Sequence, residues 1–273
     1  MDTTFTASRE GAQRLPADGA LARTIDRWIY TFMAASFVVI TLLGFIPDSI
    51  VKLAAVQAGE RPPFPPVLHV HGVLMASFLL ALLTQSVLAA TGRFQFHRRL
   101  GMLSAVLVVA IVVTGVVLVP TMYNQVWDAA QTAPPAMRES LRQGVLIRDD
   151  IMLLQLRMGV LFPLFMLIAL RARKAEPALH TRMMILAVAM ILPAAIDRIT
   201  WLPSTFPVSP VGTDLYTVAI VLPMFAWDVY RTRTVLKPYV IWGAANVPCA
   251  LVVHSLWGSP WWHAVAPTLV VRG

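Results

Sequence analysis

The chain is written as long apolar runs separated by short polar turns. Leu, Val, Ala and Met dominate approximately Trp28–Ile46, Val67–Ala90, Leu100–Val119, Ile151–Leu170, Arg182–Thr200, Leu215–Tyr230 and Tyr239–Leu256. A hydrocarbon core roughly 30 Å thick needs about 20 apolar residues per helix, so each run reads as a membrane-spanning helix. The runs are continuous rather than alternating, which excludes the strands of a transmembrane barrel. The expected fold class is all-α, a polytopic membrane protein with about seven transmembrane helices. Pro223 and Pro248 interrupt the sixth and seventh runs and make them the weakest. On this pattern residues 1–27 form a polar tail, 28–256 a single transmembrane domain and 257–273 an aromatic tail at the membrane interface.

Composition agrees with the pattern: 58% of the 273 residues are hydrophobic, 13% are charged, and the mean hydropathy is +0.69. Charge then orients the spans. Fourteen of the 22 basic residues fall in the N-terminal tail and in the turns after spans two, four and six. The positive-inside rule places that set in the cytoplasm of a bacterial inner membrane, with the C-terminus in the periplasm. The net charge of +8 is thereby assigned to anionic lipid headgroups rather than to nucleic acid. The tail has no apolar core and is not a secretory signal, so span one reads as an uncleaved anchor. One cysteine, Cys249, excludes an internal disulfide and a thiolate metal cluster. Nucleotide loops and the common hydrolase motifs are missing from the sequence.

A short internal repeat organises the middle of the chain. "HRRLGMLSA" from His97 matches "HTRMMILAV" from His180, and both segments open a span after a basic turn. Spans two and three then form one hairpin and spans four and five a second, related by a pseudo-two-fold axis along the membrane normal. Together they make a four-helix core with His97 and His180 at equal depth near its cytoplasmic end. The hairpins differ at the opposite end. Span two opens with "PFPPVLHVHG", carrying His69 and His71, whereas span four opens with "IRDDIMLLQLR", carrying Asp149, Asp150, Gln155 and Arg157.

Ionisable residues within a bilayer cost about 2.5–3.5 kcal/mol each at a helix centre, so they face protein or water. Arg157 and Asp197 fall at similar depth in neighbouring hairpins and are expected to pair. With Asp149, Asp150, Gln155 and Arg198 they mark a candidate ligand cavity on the outer side. On a helix, residues i and i+2 point about 200° apart, so His69 and His71 reach one metal only from an extended entry. Pro65 and Pro66 permit such an entry, and Gly72 favours His71 as the inward-facing member. Three readings of these histidines stand side by side: haem or metal ligands, proton-carrying or quinone-contacting groups, and interfacial residues bonded to backbone or water. His254 and His263, among Trp257, Trp261 and Trp262, read as interfacial.

The combination "FPPVLHVHG", "HRRLG" and "ALHTRMMILA" resembles a widespread family of uncharacterised bacterial inner-membrane proteins with His-x-His-Gly, His-Arg-Arg-Leu-Gly and His-x-Arg-Leu/Met-Met motifs. The similarity spans about half the chain. More loosely, such bundles with terminal histidines resemble b-type cytochromes and small membrane proteins of respiratory oxidase assembly. That resemblance implies haem b held by His97 and His180, with His71 and His69 as further candidates, and electron exchange with a quinone or a respiratory-chain protein. A transporter or sensor of a small anionic ligand, and an assembly factor without cofactor, are the alternatives. The topology has a direct check. Fused at Gly273, a periplasm-active reporter is expected to be active and a cytoplasm-active one silent; the reverse pattern inverts every side assigned above.

Overall fold

The structure is a computed structural model and describes residues 19–271. Among the described residues it is all-helical: α1 (Ala20–Gln57), α2 (Pro66–Ala90), α3 (Phe94–Thr132), α4 (Pro135–Ala172), α5 (Pro177–Ala189), α6 (Pro193–Ile196), α7 (Val211–Thr232), α8 (Lys237–Leu256) and α9 (Pro260–Val270). Six stretches are long and apolar enough to cross a membrane: α1, α2, α3, α4, the α5–α6 stretch Pro177–Ile196, and α8. The fold is that of an all-α polytopic membrane protein. The expected sixth span, Leu215–Tyr230, lies within α7, whose 22 residues reach about 33 Å. With Asp214 and Asp228 inside it, α7 is long enough but less apolar than the other six.

Contacts between distant residues show the helices running alternately up and down. At the end where α1 begins, the near face, Arg27 donates to the Ala90 carbonyl at the end of α2, and Asp26 accepts from Trp227 and Arg231 at the end of α7. At the opposite, far face, Asp48 of α1 meets Arg198 beyond α6, and Asn124 of α3 donates to the Val270 carbonyl of α9. The two ends of the described chain therefore lie on opposite faces.

Helices α2 to α5 pack in sequence, as the two-hairpin reading expects, and α1 joins them in the core. Met33, Ala34 and Phe37 of α1 are fully buried beside Phe78 of α2, Phe165 of α4 and Met183 and Leu186 of α5. Phe78 and Phe162 meet edge to face with ring centroids 5.8 Å apart. Helix α5 is the most enclosed span, whereas α3 lies at the rim. Its Met102, Val106, Val109, Val113 and Val116 are all more than half exposed and recur every three or four residues. That is one helix face, and so apolar a face fits contact with lipid.

The fifth span, Pro177–Ile196, begins and ends earlier than the expected run Arg182–Thr200 and is broken within it. Pro193 lacks an amide proton and its ring clashes with the carbonyl four residues back, so α5 ends at Ala189 and the chain turns before the single turn of α6. Asp197 and Arg198 consequently leave the bundle instead of continuing into it. Against that break lies Gly44 of α1, where a Cβ would overlap the Ala195 carbonyl oxygen. Backbone cannot move aside as a flexible side chain does, so this contact requires glycine. Gly44→Ala is expected to lower the thermal midpoint of the purified protein markedly. Gly159→Ala, on an open face of α4 with nothing within 4 Å of the added carbon, should be neutral or slightly stabilising. Equal midpoints for the two variants would refute the close α1–α6 approach.

Candidate functional site

Polar side chains gather at two levels of the bundle. At the near face, His97 Nδ1 lies 3.2 Å from the Gln85 carbonyl oxygen of α2, and His180 Nδ1 lies 2.8 Å from the Ala169 carbonyl oxygen of α4. Each histidine opens the second helix of its hairpin and reaches back to the end of the first, so the repeat seen in sequence has a matching repeat in hydrogen bonding. A carbonyl only accepts, so Nδ1 carries the proton in both rings. When the ring is neutral, Nε2 then keeps its lone pair, and neither Nε2 has a hydrogen-bond partner among the described residues. Each imidazole is half-buried, and the two lie within reach of each other's charge. Beside them Gln85 is buried with an unpartnered Oε1, and its Nε2 fills the space where Gly101 has no side chain.

His71 Nδ1 is 2.9 Å from Thr114 Oγ1, which also lies within hydrogen-bond distance of the Ala110 and Ile111 carbonyls. The ring packs over Gly115 of α3. His71 thus faces inward, while His69 is exposed and touches the edge of Phe64 at 6.2 Å. The two are not brought to one point. Among the described residues no group of three or more His, Cys, Asp or Glu side chains is arranged to hold a metal ion.

Deeper in the far half, Arg157 is the centre of a buried network. Its Nη1 donates to Asp214 Oδ1 of α7 at 2.7 Å, and its Nε and Nη2 donate to Asn246 Oδ1 of α8 at 3.1 and 2.8 Å. Asp214 Oδ2 in turn meets His254 Nε2 at 2.9 Å. The expected Arg157–Asp197 pair does not form. Asp197, exposed beyond the α5 break, accepts from Thr213 at 2.6 Å instead. A void of about 10 Å³ beside Arg157 and Asp214 has room for about one water.

The remaining candidates are spread out. Asp149 accepts from Tyr123 at 2.7 Å and is buried, with Oδ2 unpartnered; Asp150 accepts from His263 and from the Gly258 amide at 3.2 and 2.9 Å. Gln155 is half-buried on α4 and hydrogen-bonds to none of these groups among the described residues. Arg198 pairs with Asp48. His254 and His263, expected as interfacial residues, are each held by a carboxylate. Trp262, expected at headgroup depth, is 4% exposed and donates to the Asp149 carbonyl, because α9 folds back on α3 and α4. A second network, absent from the sequence reading, closes the near half. Arg182 binds Asp228 through Nε and Nη2 at 2.7 and 2.6 Å, Tyr239 donates to the same carboxylate, and the guanidinium lies over the Tyr30 ring. The available signal was the pair of acids at opposite ends of the sixth run, each facing an arginine at similar depth.

No family model, curated protein or solved structure matches this chain, so the site is read from its geometry.

Arg157 and Asp214 are expected to be strongly coupled, because their side chains are only 6% and 20% exposed. Removing one partner, as in Arg157→Gln or Asp214→Asn, should cost about 3–5 kcal/mol, and removing both should cost less than the sum. Asp197→Asn should cost about 1 kcal/mol or less, as the loss of one hydrogen bond from an exposed residue. A double-mutant cycle of unfolding in detergent checks this, and additive Arg157 and Asp214 effects would dismiss the pair.

Proposed function

We propose that this membrane protein is a redox carrier whose near-face histidines, His97 and His180, would hold one haem b. The observation that carries the reading is their shared hydrogen bonding. Two imidazoles from repeat-equivalent positions have their protons fixed on Nδ1 by backbone carbonyls and keep Nε2 lone pairs at the same end of the bundle. A histidine ligand commonly donates its other ring proton in this way, which sets its tautomer and orientation and raises its basicity. Neutral imidazole donors suit haem iron, so the donor set fits the group. The haem would supply one-electron chemistry, exchanged with a membrane quinone or a respiratory-chain protein. The chain's own part is to fix both rings at the mouth of the bundle, where the charged turns that follow α2 and α4 leave them open to a partner. A bacterial inner membrane, with the near face towards the cytoplasm, belongs to the same reading, on the strength of the basic turns on that side.

His71 also bonds through Nδ1 but sits at the opposite end of its hairpin, against Thr114. It reads as a clasp between α2 and α3 rather than a third ligand. The test is absorbance of the full-length protein purified after growth with haem precursor. A Soret band is expected in the wild type and in His71→Ala, and its loss in His97→Ala and His180→Ala. A folded wild-type protein without the band, whose three variants differ from it only in thermal midpoint, would show that all three histidines are clasps and nothing more.

A further inference from the structure

On the far face, away from both networks, cations from four separate segments converge. Asp48 Oδ2 of α1 meets Lys52 Nζ at 2.6 Å and Arg198 Nε at 3.2 Å. Arg61, from the turn between α1 and α2, and Arg148 of α4 lie among the same charges: Arg148 is within reach of Arg198 and Arg61, and Lys52 within reach of Arg198 and Arg148. Neither Arg61 nor Arg148 forms an ion pair with a carboxylate among the described residues. The acids nearby do not balance the set. Asp48, Asp197, which is within reach of Arg198, and the exposed Glu60, next to Arg61 in sequence, are three acids against four cations.

Unpaired like charges ordinarily separate into solvent. Here they are held. Arg61 lies over the Phe64 ring at 4.5 Å, with its Nε buried and without a hydrogen-bond partner. Arg198 lies over Phe45 at 4.7 Å and turns Nη1 back to the Ala194 carbonyl. Stacking on an aromatic face fixes a guanidinium plane and leaves its N–H edge directed sideways, which prepares it for a tetrahedral oxyanion. The surplus of charge, the buried unsatisfied donor and the fixed planes all call for one compact, multiply charged acceptor.

We propose that Lys52, Arg61, Arg148 and Arg198 bind a phosphate group, supplied either by phosphate in solution or by the headgroup of an anionic phospholipid. Arginine forks match phosphate oxygens in pairs, and the charge of free phosphate or of a headgroup phosphodiester offsets the excess of cations. Ile46, Ile50 and Val51 of α1 are 51%, 64% and 69% exposed and put lipid-facing surface close to Asp48 and Lys52, so a headgroup reaches the cluster without leaving the membrane. This assignment does not depend on the haem reading, which concerns the other face.

The test uses the full-length protein in detergent, stripped of lipid, with thermal midpoints measured in chloride and in phosphate at matched ionic strength, and with short-chain phosphatidylglycerol against phosphatidylcholine. Phosphate or phosphatidylglycerol is expected to raise the midpoint by about 3 °C or more at saturation. A response to phosphatidylglycerol alone identifies the headgroup as the source, and a response to inorganic phosphate alone identifies the solution ion. Arg148→Gln should be more stable than wild type in chloride, through relief of repulsion, and should lose the response to either ligand. Arg61→Gln, at a more open position, should lose it as well and serves if Arg148→Gln does not fold. No shift with either ligand in the wild type, or shifts in both variants equal to the wild-type shift, would overturn the proposal.

Discussion

A guanidinium inside an apolar bundle persists only where an acceptor meets it, and that requirement holds together the helices that hydrophobicity alone leaves loose. Helix α7 is the least suited of the long helices to lipid, and it is tied near each end. Asp214 takes Arg157 of α4 and Asp228 takes Arg182 of α5, about 21 Å apart along the helix axis. Helix α8 enters the same two networks through Asn246 and His254 at one end and Tyr239 at the other. Four helices thus share two polar points, one in each half of the bundle. In lipid no hydrophobic gain drives helix against helix, so such points, with close contacts like that of Gly44 on Ala195, select the register of packing. The pairs act less as a source of net stability than as a penalty on every other arrangement.

The pattern of apolar runs was enough to read the spans, because a membrane enforces length and polarity directly on sequence. The hairpin repeat was legible for a similar reason: His97 and His180 recur with their flanking arginines at the same place in two turns. Partners were harder. Sequence paired Arg157 with Asp197, and the break before Pro193 removes Asp197 from the bundle and leaves the place to Asp214. His263 and Asp150 are 113 residues apart, and their meeting depends on α9 folding back, which no local pattern announces. The carbonyls of Gln85 and Ala169 that orient the near-face histidines were illegible for another reason. Every residue has a carbonyl, so only packing says which one is used.

Five of the six histidines divide by the nitrogen they commit. His71, His97 and His180 bond through Nδ1 to the neighbouring helix of their own hairpin, and His254 and His263 meet carboxylates through Nε2. His254 and His263 serve as links between distant parts of the chain, with their outward nitrogen used. The first three also join helices, but with the inward nitrogen, and this leaves the better-presented one free. A clasp and a ligand are therefore compatible roles for one imidazole, since backbone fixation of Nδ1 is also what a metal ligand needs. Of the three, only His97 and His180 share an end of the bundle.

The middle of the bundle bears on which kind of traffic such a protein can carry. Between the near-face histidines and the far-face cations lies a layer closed by Phe78, Phe162, Phe165 and Met183, all of them almost fully buried. Close-packed aromatics hold no water, and an ion or polar ligand crossing them would have to displace rings locked edge to face against each other. Beside Arg157 the void amounts to about 10 Å³, room for about one water. Passage of a solute through this arrangement would require the helices to part, against the two arginine–carboxylate networks that tie α4, α5, α7 and α8. The proposed exchange of electrons at the near face asks for no such opening, because His97 and His180 lie at the mouth of the bundle and not beyond the closed layer.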